Sequence, residues 1–120
     1  MLVYYLLSSN YLFKINLKYN QTKIDSKYFN IFPGEHYRIL AGLIEYEKPK
    51  TILDIGTSSG MSSRIMLDYS NKDSEIVTFD LIKWDNFDSH LLKSDFSGSR
   101  LIQYLDDLSN ITTFKKHLPL

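Results

Sequence analysis

The sequence predicts an α/β protein built on a doubly wound parallel sheet, and three observations predict it. A β-branched run, Thr51–Ile55, passes through a glycine-bearing turn into a helical stretch; a second such run at 75–80 follows that helix, and a third at 101–106 follows a linker. Strand, tight loop, helix, strand is the βαβ unit, whose strands run parallel because a crossover helix joins them.

Each element has a local reason. Residues 1–31 form an arm rich in Tyr, Asn, Lys and Leu without a sustained period, and no element is assigned there. From Pro33, Tyr37, Leu40 and Ile44 with Ile39, Leu43 and Tyr46 recur at helical spacing to about Glu47, where Lys48-Pro49-Lys50 ends the helix. Thr51–Ile55 is short and apolar, which suits a strand covered on both faces near the sheet centre. After Gly56-Thr57-Ser58-Ser59-Gly60, Met61, Ile65 and Tyr69 mark the buried stripe of a helix with Ser59, Ser62 and Ser63 at its first turn, and Asn71-Lys72-Asp73 breaks it. Ser97-Gly98-Ser99 turns the chain into the third strand, and Ser109 or Asn110 caps a last helix from about Ile111 to His117.

Composition narrows the function. The chain has 120 residues, 43% of them hydrophobic, which suffices for one modest core. Fourteen basic residues balance fourteen acidic ones, so no bulk charge favours nucleic acid or anionic lipid. The absence of cysteine excludes a disulfide framework, a thiolate metal site and a cysteine nucleophile. The apolar run at 2–7 is far shorter than the roughly 20 residues of a membrane span, and it lacks the flanks of a signal peptide. A soluble, cytoplasmic protein acting on a small molecule is expected; the oligomeric state is not encoded.

The chemistry concentrates where the first strand turns into a helix. Gly56 and Gly60 permit a sharp turn and close approach of a ligand, and free N–H groups at the helix start favour an anion such as a carboxylate. Asp80 ends the second strand close to the separation, about 20 residues, at which dinucleotide folds place an acid on ribose hydroxyls. Asp106 and Asp107 end the third strand in the same layer, where one of them can accept from an exocyclic adenine amine.

Leu53-Asp54-Ile55-Gly56-Thr57-Ser58-Ser59-Gly60 resembles the acidic-x-Gly-x-Gly-x-Gly signature of class I S-adenosylmethionine-dependent methyltransferases, with Ser58 in place of the middle glycine. The segments Phe32-Pro33-Gly34-Glu35-His36-Tyr37-Arg38, Val77-Thr78-Phe79-Asp80 and Asp106-Asp107-Leu108-Ser109 also resemble one branch of small-molecule methyltransferases. The resemblance implies a Rossmann-like sheet in spatial order 3-2-1 and a cofactor-binding domain over 32–120. It implies that Gly56, Thr57, Ser58, Ser59 and Gly60 line the methionine portion of S-adenosylmethionine, that Asp80 holds the ribose, that Asp107 faces the adenine and that Asp54 shapes the floor under the loop. A side chain added at Gly60 is then expected to fall in the ligand's space or to strain the loop.

The family's sheet has about seven strands and only three are legible, so the chain is expected to stop before the catalytic half, with the fourth strand that pairs with the first missing and no activity alone. Catalytic residues and the acceptor atom are not assigned. His36 reads as a capping or surface residue, Trp84 as a hydrophobic plug rather than a shield for the adenine or sulfonium, Met61 and Met66 as core, and His90 and His117 lack metal-ligand spacing. Two rivals stand: a nicotinamide-dependent oxidoreductase, which wants a Gly-x-Gly-x-x-Gly spacing this loop lacks, and a non-catalytic nucleoside-binding or interaction fragment.

Overall fold

The structure is a computed structural model that describes residues 34–117, so the expected arm over 1–31 and the helix start at Phe32 and Pro33 lie outside the described residues. In chain order come α1 (Gly34–Glu47), β1 (Thr51–Ile55), α2 (Met61–Tyr69), β2 (Glu75–Phe79), two short 3-10 turns (Trp84–Asn86 and Lys93–Phe96), β3 (Leu101–Tyr104) and α3 (Ile111–His117). The three strands form one parallel sheet in the order β1-β2-β3, with β2 in the middle.

Helix ends are fixed by specific contacts. Lys48 takes a left-handed φ of 49° and donates its N–H to the Ile44 carbonyl, and Pro49 then prevents continuation of α1. At the end of α2 the Arg100 guanidinium donates to the Leu67 and Ser70 carbonyls, satisfying groups that helix geometry leaves without partners. Asn110 caps α3, its side-chain oxygen accepting from the Thr112 N–H at 2.9 Å, while Ser109 turns back to Asp107.

Alternation along the strands divides the sheet into two faces. Ile52, Ile76 and Leu101 share the face covered by α2, where Ile65, Met66, Leu67 and Tyr69 meet them and Ala41 and Ile44 of α1 complete the core. On the other face His117 of α3 packs edge-on to Phe79, ring centres 4.9 Å apart, and against Tyr104. Helices thus lie on both faces.

The spatial order is the expected 3-2-1, in which β1 stands at the edge of the described strands; the cover expected on both of its faces is lacking on one, where Leu53 and Ile55 are 52% and 63% exposed. Central burial belongs to β2, where Ile76, Val77, Thr78 and Phe79 are all buried. An apolar run shows what both faces of a strand tolerate, not what covers them. Two strand ends also shift: β2 stops at Phe79 and β3 at Tyr104, so Asp80, Asp106 and Asp107 stand in the loops just beyond them.

Gly60 is buried and has a φ of 77°, and a Cβ built there comes within 2.5 Å of Leu91 Cγ. The expectation that this Cβ would fall in ligand space is therefore corrected: it meets the core, in which Leu91 is 2% exposed. Gly60→Ala is expected to lower stability by about 2–4 kcal/mol, from overpacking plus left-handed strain. Denaturant unfolding checks this, and an unchanged midpoint would show that Leu91 relaxes freely.

Candidate functional site

The loop between β1 and α2 is folded by its own backbone. Gly56 and Thr57 both donate to the Phe79 carbonyl, at 2.8 and 3.2 Å, which carries the loop across the end of β2, and Gly60 N–H closes a turn onto the Thr57 carbonyl at 2.7 Å. Three of its five residues have positive φ: Gly56 at 95°, Ser58 at 46° and Gly60 at 77°. The position where the resembling signature has a middle glycine is thus left-handed here too, and Ser58 occupies it at a steric cost that glycine avoids.

The structure separates the five loop residues into two sets. Thr57 is buried, its hydroxyl 2.7 Å from that of Thr78, and Gly60 lies on Leu91, so neither turns a side chain or an open Cα toward solvent. Gly56 and Ser58 are exposed and Ser59 is half-buried. A Cβ at Gly56 would meet no atom within 4 Å, so the space above it is open to a close backbone approach. The Ser59 carbonyl accepts from the His90 N–H at 2.8 Å, which fastens the loop to the segment before Leu91. Gly60 precedes α2 and no side chain caps the helix, which leaves its start without a side-chain partner.

Beneath the loop lies Asp54, 6% exposed. Ser62 donates to its carboxylate at 3.0 Å and Thr78 at 3.1 Å, and Ser63 donates as well. Burial pushes the Asp54 carboxyl above the ordinary carboxylate range; the three hydroxyls pull it back, and the charge of Asp80 adds to the rise. The same charge on Asp54, after partial burial, raises the Tyr37 phenol, which donates to the Met61 sulfur. Two of the serines that the sequence places at the first turn of α2 thus hold this acid.

Asp80 behaves oppositely. Its carboxylate accepts from Ser58 N–H at 2.8 Å and from Ile82 N–H at 3.1 Å. Partial burial would raise its carboxyl, but backbone donors of Ser58, Ile82, Leu81 and Thr57 outweigh it and hold it below the ordinary range. Each oxygen keeps a lone pair beyond these bonds. Asp107 is exposed and accepts from the Ser109 hydroxyl and N–H at 2.6 and 2.9 Å, and its Ser109 partner holds its carboxyl low. Its neighbour Asp106 binds His117 Nε2 at 2.7 Å. Asp54, Gly56, Ser58 and Asp80 are therefore brought together around one loop, while Asp107 belongs to a local turn after β3.

Sequence reading missed Thr78 and Gln103. Both are polar residues inside otherwise apolar strands, and the register aligns Asp54 with Thr78 and Thr78 with Gln103. A polar residue within each strand beyond its first position, in register across all three, was the available signal. Trp84 stacks on Phe96 at 4.9 Å and packs against the core. Among the described residues no group of three or more His, Asp or Glu is placed to hold a metal ion, and no helix is long and apolar enough to cross a membrane.

The two acids set the pH response. Asp54, raised in the folded chain above an unfolded value of about 3.9, contributes fully below that pH, and its contribution is lost as pH rises through the raised value. Asp80, held low, contributes above about pH 4 and is lost only as pH falls below it. Asp54→Asn is thus expected to remove a decline in stability that sets in as pH rises above about 4. Parallel denaturation profiles for parent and variant above that pH would contradict this. Ser58→Gly is expected to gain about 0.5–1 kcal/mol by removing left-handed strain, less the added chain entropy of glycine; a lower melting temperature would refute it.

No family model matches the chain and no curated protein matches it, so the functional reading stands on the chain's own residues.

Proposed function

We propose that this chain is the cofactor-binding part of a class I S-adenosylmethionine-dependent methyltransferase that transfers a methyl group to a small-molecule acceptor. The observation that carries the reading is Asp80: an ionised carboxylate at the end of the middle strand, bonded to the Ser58 N–H, beside the open space over Gly56.

The residues fit such a cofactor. Gly56 lets the backbone come close, and the uncapped start of α2 offers N–H groups to an amino-acid carboxylate. The remaining lone pairs of Asp80 suit two vicinal ribose hydroxyls, and Asp107 stands beyond β3, where the resemblance assigns the adenine. The bound cofactor supplies an electrophilic methyl group on a sulfonium. The chain's part is alignment: it holds the methionine and ribose portions fixed so that the methyl carbon faces an acceptor in line, the kind of positioning on which displacement reactions depend.

Calorimetric titration with S-adenosylhomocysteine and NAD in parallel tests the reading, with binding of the first and not the second expected. Binding of NAD alone would favour an oxidoreductase-type nucleotide site, and binding of neither would dismiss the proposal. Asp80→Ala is expected to cost about 1.5–3 kcal/mol of S-adenosylhomocysteine affinity, as for a hydrogen bond to a charged group, and to weaken methionine less, through the loop that loses its tie at Ser58. Unaltered nucleoside affinity with a lower melting temperature would make Asp80 a structural tie only.

A further inference from the structure

The segment that follows Asp80 is not held by packing at its start. Leu81 and Ile82 are 70% and 46% exposed, so hydrogen bonds must position the backbone between Asp80 and the stacked ring of Trp84. Those bonds converge on one side chain of β3. Gln103 Oε1 accepts from the Trp84 N–H at 3.0 Å, and Gln103 Nε2 donates to the Ile82 carbonyl at 3.2 Å and to Thr57 Oγ1 at 3.0 Å.

The orientation of this amide is not arbitrary. A backbone N–H only donates and a backbone carbonyl only accepts, so Trp84 and Ile82 together fix which end of the Gln103 amide faces each of them. The Nε2 group must then donate to Thr57, whose own hydroxyl hydrogen is free for Thr78 Oγ1, 2.7 Å away. Thr78 in turn donates to Asp54 Oδ2 at 3.1 Å. A one-way chain of donors thus runs from the Trp84 backbone through Gln103, Thr57 and Thr78 to the buried carboxylate. Ile82 is bonded at both ends, its N–H to Asp80 and its carbonyl to Gln103.

We propose that Gln103 is a positioning residue of the nucleoside site, clamping Ile82 and Trp84 to Thr57 and so fixing the Asp80 carboxylate where a vicinal diol can reach both of its oxygens. The clamp is a property of this chain's own contacts; its role toward the diol rests on the nucleoside reading above. Neither Gln103 nor Thr57 needs to touch the ligand for this.

Gln103→Leu removes the polar contacts at similar size. Native-state amide exchange is expected to accelerate about tenfold at Ile82 and Trp84, as on loss of a hydrogen bond, and to stay unchanged at Ile76 in the middle strand. Gln103→Glu keeps the acceptor for Trp84 and is expected to retain protection there. The affinity preference for adenosine over 2′-deoxyadenosine, measured by titration, is expected to fall toward unity in both variants. Exchange unchanged at Ile82 and Trp84, or accelerated equally at Ile76, would overturn the clamp. A preference as large in Gln103→Leu as in the parent would overturn the positioning role. If the parent binds neither nucleoside, the nucleoside reading and the diol role fail together, and the exchange comparison still decides whether Gln103 holds the segment.

Discussion

The buried carboxylate of Asp54 is the constraint on which the local architecture depends. A charge under the loop is tolerable only if donors surround it, and the group ties three elements together: β1 carries the acid, the first turn of α2 supplies the donors Ser62 and Ser63, and β2 supplies Thr78. Satisfying one group therefore fixes the exit of α2 from the loop and its seating over the sheet. The loop inherits its shape, because Thr57 must bury its hydroxyl to complete the same network. An apolar residue at 54 would need no such partners, and nothing comparable would then bind the start of α2 to β2.

The elements were legible where local rules and burial agree. The helix ending at Glu47 is announced by Lys48-Pro49, and α3 matches its expected span, Ile111–His117, because Asn110 and the basic last turn mark both of its ends. β1 was legible as a strand and, through the order 3-2-1, as the edge of the three; its uncovered face was not, since Leu53 and Ile55 are as apolar as a covered pair would be. The candidate site was legible as far as its loop and Asp80 go, which the sequence puts at neighbouring strand ends and the fold joins through the Ser58 N–H. The roles of Ser62 and Ser63 were not, because helix capping and a buried acceptor both want a hydroxyl at a helix start, and only the three-dimensional direction of the side chain separates them. Gln103 escaped for a different reason: its partners at Thr57, Ile82 and Trp84 are brought to it by the fold, and spacing along the chain carries no trace of that convergence.

The two acids next to the loop divide labour through burial and donors. Burial outweighs the hydroxyl donors of Asp54, and its carboxyl rises; backbone N–H donors outweigh the partial burial of Asp80, and its carboxyl falls. The charge of Asp80 adds to the rise of Asp54, which widens the difference. Negative charge is thus held firmly on the rim and only reluctantly on the floor, so a ligand arriving from solvent meets a carboxylate with spare acceptor capacity. The floor acid orients hydroxyls and contributes no open acceptor of its own.

Ser58 joins these threads. A serine with a φ of 46° is unfavourable by itself, yet its N–H points at Asp80 and is bonded at 2.8 Å. The charge-assisted bond offsets strain that a glycine at this position would never incur. Loop shape in this chain therefore depends on the acid at the end of β2 as well as on its two glycines. Asp80 depends in turn on Ile82, and Ile82 on Gln103, so the rim is one connected assembly in which the exposed oxygens belong to the acid that also maintains the loop beside it. A ligand that drew the Asp80 carboxylate away from Ser58 would release the strained loop. Only one that binds the lone pairs left over would keep the site intact, which is what two hydroxyls approaching from the solvent side do.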